Sequence, residues 1–224
     1  MRTDYRHEIK HEISRADMLV LQSRLPHMMQ ADAHAKDGRY FIRSLYFDTP
    51  SDKALREKID GVDRREKFRI RFYDNDPSFI RLEKKSKLSG LGTKDNAAMT
   101  KDEVLSVIAG DTAWMAETDR PLIRELYAKM KNELLAPKTV VDYTRQPYTY
   151  LPGNVRVTLD YDIRTGLVSK DIFNPDLPTV PVAGSPIILE VKWDGFLPEV
   201  IRKAVQVDVR EQAYSKYAAC REYD

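Results

Sequence analysis

The stretch Arg65–Lys87, REKFRIRFYDNDPSFIRLEKKSK, decides the fold. Asp74-Asn75-Asp76-Pro77 is a run of turn formers between two segments rich in aromatic and branched residues, which predicts a hairpin. Successive side chains of a strand point to opposite faces. On the first strand Arg65, Lys67, Arg69 and Arg71 share one face, and Glu66, Phe68, Ile70 and Phe72 the other. On the second, Arg81, Glu83, Lys85 and Lys87 stand opposite Ile80, Leu82, Lys84 and Ser86. Paired, the strands put seven cations and one carboxylate on a single face. A solvated sheet face ordinarily mixes signs, because like charges facing each other destabilise the pair. A serial run of cations calls for an anionic partner, and a multiply charged phosphate chain would supply it.

Composition narrows the partner. The chain has 224 residues, enough for one domain over 1–224 with a full core. Lys plus Arg is 37 against 35 for Asp plus Glu, a net charge of +2. A nucleic-acid binder is usually more basic, so no nucleic acid is expected. The positive charge is segregated by the fold, which suits a concave small-ligand site. The single Cys220 excludes an internal disulfide and points to a reducing compartment. The opening MRTDYRHEIKHEIS has no apolar signal region, and no run approaches ~18 apolar residues. A cytoplasmic protein with no membrane span of its own is expected. His7, His11, His27 and His34 show no metal-binding spacing, and Trp114 and Trp193 read as packing residues.

Outward from the hairpin, Tyr5 to Ile13 reads as a strand with Arg6, Glu8, Lys10 and Glu12 on one face. Ser14, with Asp17 three residues on, opens a helix expected to run to Met29. Residues 39–48 form a strand ended by Thr49-Pro50, and Ser51 caps a short helix. Residues 89–100, SGLGTKDNAAMT, read as turn, since Gly90 and Gly92 lack phosphate-loop spacing. Residues 100–135 are helical, with Thr100 and Thr118 as caps. Two strands follow, 137–150 and 154–169. In the second, Arg156, Thr158, Asp160 and Asp162 share a face opposite Val155, Val157, Leu159 and Tyr161. Residues 174–186, with four prolines, read as a loop. A strand at 186–194 alternates Glu190, Lys192 and Asp194 with apolar residues, and 198–222 reads as helical. About eight mostly antiparallel strands, charged on one side, predict an α+β fold: a closed β-barrel with a polar interior and helices outside.

The ordered set Glu8-x-Lys10, Tyr46-Phe47-Asp48, Arg69-x-Arg71, Glu83-x-Lys85, Arg145, Arg156, Glu190-Val191-Lys192 and Ser215-Lys216-Tyr217 resembles the VTC domain. That is the polyphosphate polymerase domain of the vacuolar transporter chaperone complex, within the triphosphate tunnel superfamily. The resemblance implies an antiparallel barrel whose tunnel is lined by Lys10, Arg69, Arg71, Lys85, Arg145, Arg156 and Lys216, holding phosphates. It implies Glu190 as ligand of a divalent metal, Mn²⁺ or Mg²⁺. Lys58 falls where the polymerase has an arginine, Lys87 where it has a histidine, and Lys94 near a further lysine. Ala213 departs from the pattern, standing where the eukaryotic polymerase has a second lysine. The membrane helices of the eukaryotic subunits have no counterpart here, which leaves room for a membrane-protein partner.

Phosphoryl transfer through a loose transition state needs positioning and charge neutralisation more than covalent catalysis. Arginine binds two phosphate oxygens at once and stays charged. Strand parity adds Lys67 to the Arg69 face and Lys192 to the Glu190 face. A hard divalent cation bridging phosphates needs only one or two protein carboxylates. Glu190 comes first, then Glu8 and Glu83. Three functions remain open: a polymerase extending polyphosphate from ATP, a hydrolase of tripolyphosphate or a nucleoside triphosphate, and a non-catalytic polyphosphate-binding module.

Overall fold

The computed structural model describes residues 6–88 and 91–222, so the expected strand start at Tyr5 and the glycine at 90 lie outside the described residues. The chain opens with β1 (His7–Ile13), α1 (Arg15–Arg24), β2 (Gln30–Ala31), β3 (Tyr40–Asp48) and α2 (Lys53–Ile59). The basic hairpin is β4 (Arg65–Tyr73) and β5 (Asp76–Leu88), followed by β6 (Leu91–Met99). Helices α3 (Lys101–Ala109) and α4 (Pro121–Asn132) precede β7 (Ala136–Tyr150), β8 (Val155–Thr165) and β9 (Val180–Pro181). Last come β10 (Ile187–Trp193), α5 (Glu199–Ala204) and α6 (Lys216–Cys220).

The hydrogen-bonded order is β1-β10-β8-β7-β3-β4-β5-β6, with β2 on β7 and β9 on β8. This antiparallel sheet corrects the closed barrel: its order has two ends, and among the described residues no ladder joins β1 to β6. The end strand β6 carries exposed Lys94, Asp95 and Asn96, the charged dressing by which sheet edges resist further pairing.

Contacts divide the chain into two compact units. The first comprises the residues up to Phe41, Tyr143–Ile163 and Pro181–Ser215. Its core joins Ile13, Val157, Leu159, Leu189 and Val191 of the strands to Met18 and Leu21 of α1 and Ile201 and Ala204 of α5. A reciprocal Ser14–Asp17 capping box starts α1 as expected. The helix stops at Arg24 rather than Met29, giving way to a 3-10 turn containing Pro26, since proline lacks the amide that a continuing helix needs. The region 198–222 also departs from expectation: only α5 and α6 are helical, and between them Gln212 N–H donates to the Lys10 carbonyl at 2.8 Å.

The second unit comprises Ile42–Asp142, Arg164–Val180 and the residues from Lys216. Leu45 and Phe47 of β3, Phe68, Ile70 and Phe72 of β4, and Ile80 and Leu82 of β5 pack on Val104, Val107, Ile123 and Leu126 of α3 and α4. The side predicted to be apolar is therefore the side the helices cover. Thr100 caps α3 reciprocally with Glu103, whereas α4 begins at Pro121 and the Thr118 hydroxyl accepts from Arg120 Nε at 3.1 Å instead. Ser51 does not cap α2. The carboxylate of Asp48 accepts from the amides of Ala54 and Leu55, at 2.8 and 3.1 Å. The turn expected at 89–100 is mostly strand, because β6 pairs with β5 from Ile80↔Met99 to Leu88↔Leu91. Among the described residues no helix is long and apolar enough to cross a membrane.

One ion pair is buried on the helix side of this unit. Arg43 grips Asp142 through two parallel bonds of 2.9 and 2.8 Å and also donates to the Asn174 carbonyl, and both side chains are 3% exposed. Breaking one partner of such a pair costs about 3–5 kcal/mol, because it strands a buried charge, while replacing both with packed apolar residues is often neutral. Arg43→Leu should therefore lose about 3–5 kcal/mol in urea unfolding, and Arg43→Leu with Asp142→Leu should recover most of it.

Candidate functional site

In the second unit the face turned away from the apolar core is the basic one. Strand register sets Arg69 opposite Glu83, Lys67 opposite Lys85 and Arg65 opposite Lys87, and sets Lys85 opposite Lys94 of β6. Glu83 gathers the cations. Its Oε2 lies 2.6 Å from Arg69 Nη2 and 3.8 Å from Arg71 Nη1, and its Oε1 lies 2.5 Å from Lys94 Nζ. Burial would raise the Glu83 carboxyl, but Arg69, Arg71 and Lys94 hold it well below the ordinary range. Lys94 is pulled below the usual lysine value, by its surroundings' desolvation first and then by Arg69 and Arg71, in spite of Glu83. One carboxylate thus meets three cations.

Tyr46 completes this face from β3, where it stands opposite Arg69, and Ser44 stands opposite Arg71. The phenol oxygen accepts from Arg69 Nη1 at 2.8 Å, and Ser44 Oγ accepts from Arg71 Nε at 3.0 Å. Lys67 Nζ lies 5.8 Å from the Tyr46 ring centre. Burial pushes the Tyr46 phenol up, yet Arg69, Lys67 and Arg71 outweigh it and bring it down to about 7. The ring is stacked on Tyr217, with centroids 5.0 Å apart. Tyr217 in turn donates to Asp48 at 2.6 Å and accepts from Arg221 at 2.9 Å.

The charged face of the first unit is built differently. Register pairs Lys10 with Glu190, Glu8 with Lys192, Glu190 with Thr158 and Lys192 with Arg156. Lys10 Nζ lies 2.7 Å from Glu8 and 3.3 Å from Glu190, and Lys192 Nζ lies 3.2 Å from Glu8 and 2.6 Å from Glu190. The two carboxylates thus converge across β1 and β10. Burial would lower the Lys10 ammonium, but Glu190 and Glu8 hold it above its ordinary value. Arg145 is clamped by Asp160 through two bonds of 2.6 Å. Arg156 Nη2 donates to Tyr40 at 2.6 Å and lies 3.3 Å from Asp32. Two polar atoms of this face, Arg156 Nε and Thr158 Oγ1, are buried without a hydrogen-bond partner.

The profile of the VTC domain matches residues 5–223. The chain belongs to the VTC domain family. No curated protein matches it. Among solved structures, a putative adenylyl cyclase from Hippeastrum, described as having a dominant triphosphatase activity, superposes with a TM-score of 0.60. That match has 17% identity and covers 98% of this chain and 96% of that one. A putative adenylate cyclase from Bacillus halodurans gives 0.52 at 14% identity over 88% and 83% of the two chains. A protein of Pyrococcus horikoshii gives 0.52 at 12% identity over 98% and 100%. These likenesses show that this VTC domain shares the fold of those structures.

The structure divides the residues singled out in the sequence between the two units. Arg69, Arg71, Glu83 and Lys94 meet directly in the second, with Lys67 beside Tyr46. Lys85 is exposed on β5, Lys87 lies across from Arg65, Lys58 is half-buried on α2, and Lys216 opens α6. Glu8, Lys10, Glu190 and Lys192 meet in the first unit, beside Arg156 in register, while Arg145 is paired with Asp160. Among the described residues no group of three or more His, Cys, Asp or Glu could hold a metal. Sequence reasoning gave no role to Tyr46, Ser44 or Tyr217. The alternation Ser44, Tyr46, Asp48 along β3 was the available signal.

The acidic Tyr46 phenol makes this VTC domain titrate unusually. Phenolate absorbance should rise through a step near pH 7 and lose that step in Tyr46→Phe. Because the folded value lies below the unfolded one of about 10, the linked stability is absent below pH 7, grows from pH 7 to about 10 and is complete above it. Wild type should therefore gain on Tyr46→Phe across that window in denaturant unfolding.

Proposed function

We propose that this VTC domain carries out metal-dependent phosphoryl transfer on phosphate chains, with extension of polyphosphate from ATP as the favoured reaction. The observation that carries this reading is the surplus of cations over carboxylate around Glu83. An acceptor-only polyanion fits it, since arginine forks and lysine ammonium groups donate hydrogen bonds and carry the opposite charge. We assign Arg69, Arg71, Lys85, Lys67 and Lys94 to phosphate contact in the second unit, and Lys10, Arg145, Arg156 and Lys192 in the first. Lys58, Lys87 and Lys216 are assigned to binding on family position.

Glu8 and Glu190 fit a divalent cation, Mn²⁺ or Mg²⁺, because their carboxylates already converge on shared lysines. Glu83 ranks after them, since it sits alone among two arginines and a lysine, whereas Glu8 and Glu190 bring two carboxylates to one place. The metal would supply charge neutralisation at phosphate oxygens. Arg69 and Arg71 would orient the chain, and Lys10 and Lys192 would neutralise negative charge beside the carboxylates.

Hydrolysis of tripolyphosphate or a nucleoside triphosphate is the second reading, favoured by the triphosphatase activity described for the Hippeastrum neighbour. Incubation of pure protein with ATP and Mn²⁺, then with tripolyphosphate, separates the two by product: lengthening chains or free phosphate. Neither product would leave a binding module.

Tripolyphosphate at a hundredfold its Kd should add about 2.7 kcal/mol to stability by mass action, an effect that shrinks in high salt. Arg69→Ala with Arg71→Ala should remove most of the ligand-dependent rise in Tm. An undiminished rise would place the ligand elsewhere.

Glu190 separates metal chemistry from charge balance. By Coulomb reasoning alone, losing a carboxylate among cations tightens phosphate binding. If Glu190 holds the metal, Glu190→Gln should lower metal-dependent turnover by about two orders of magnitude. Metal-free tripolyphosphate binding should persist or strengthen. Turnover near the wild-type level in that variant would leave Glu8 as the metal candidate.

A further inference from the structure

We propose that Thr158 is a phosphate-binding residue, its hydroxyl forming with Arg156 Nε a donor pair for one phosphate group on the charged face of β8. Thr158 is 1% exposed, yet its Oγ1 has no hydrogen-bond partner, and neither has Arg156 Nε. Buried polar groups are nearly always paired, because an unmade bond costs the full desolvation of the group. Valine has the same shape as threonine and would fill this position without that cost. The hydroxyl therefore answers to something other than packing.

The carboxylates next to it on the strand and across from it in register are already engaged by cations. Asp160, the next residue on the same face, spends both oxygens on Arg145. Glu190, opposite Thr158 in register, holds Lys192 through one oxygen and Lys10 through the other. Arg156 is fixed at its far end, where Nη2 donates to the Tyr40 hydroxyl. That bond steadies the guanidinium while leaving the Nε–H edge uncommitted. Residues 156 and 158 project from the same side of the strand, so the hydroxyl and Nε–H stand in sequence along one face.

Both groups can donate, and Nε–H can do nothing else. Two donors set among lysines select an acceptor-only, anionic group. A tetrahedral phosphate with several oxygens satisfies both at once, and it does so without a new charge from the protein. This inference rests on the phosphate-chain reading above and adds a residue to it.

The test compares Thr158→Val and Thr158→Ser with wild type, with tripolyphosphate as probe. Without ligand, Thr158→Val should unfold at the wild-type temperature or above it, since no bond inside the fold is lost. Its tripolyphosphate affinity should fall about tenfold or more, as expected for a hydrogen bond to a charged group. Thr158→Ser, which restores the hydroxyl, should bind nearly as wild type does. Undiminished binding by Thr158→Val overturns the inference, as does a lower melting point without ligand, which would show the hydroxyl bonded within the fold. An equal loss of affinity in Thr158→Ser overturns it too, by pointing to the methyl group. If wild type itself fails to bind tripolyphosphate, the phosphate-chain reading fails first, and this one with it.

Discussion

Glu83 is the carboxylate on which the basic face of the second unit depends. It stands among Arg69, Arg71 and Lys94, and without it three cations would confront one another in a partly desolvated space. Like charges a few ångströms apart repel by several kcal/mol at the effective dielectric of a protein surface, about 20. The other face of the same strands shows how charge is arranged when only stability matters. There Lys53, Glu133, Lys129, Glu66, Lys84 and Glu125 alternate in sign from one contact to the next. One sheet thus carries a neutralised side under its helices and an under-neutralised side opposite. On the proposed reading, the side opposite the helices is the one that meets the phosphate chain.

The first unit balances its charges in another way. Glu8 and Glu190 are matched by Lys10 and Lys192, so the four side chains sum to zero. Arg145 is matched by Asp160, a buried clamp that fixes the orientation of the guanidinium. What this unit leaves unmet is hydrogen-bonding capacity rather than charge, at Thr158 and Arg156. The two charged faces thus present different chemistry, one with surplus positive charge and the other with paired charges and spare donors.

Strand parity made most of this legible. Period-two alternation over Arg65–Lys87 separates the residues that pack under α3 and α4 from those on the charged face, and the structure keeps that separation. Parity was blind to partners. It put Glu83 on the right face but could not show that three cations use up its oxygens. It likewise put Thr158 beside Arg156 without revealing that its hydroxyl goes unmatched. β6 was missed because an edge strand needs no apolar side, and its Gly, Asp and Asn residues spell a turn by local propensity. The closed barrel was inferred from amphipathic strands alone, and amphipathicity says which face is wet without saying whether the last strand meets the first. The early end of α1 is legible in the sequence at Pro26.

The stack of Tyr217 on Tyr46 has a consequence for biosynthesis. Tyr217 reaches Asp48 across 169 residues of sequence, and α6 follows every strand. At a translation rate of roughly 5–20 residues per second, β3 waits on the order of 10–30 s before its covering aromatic ring is even made. During that interval Asp48 can cap α2, but Tyr46 lacks the surface that holds its ring, and Arg69 lacks a fixed phenol to donate to. The nascent chain therefore displays basic strands before their charged face is finished. A chain that ends before α6 has the charge of the mature one and not its order.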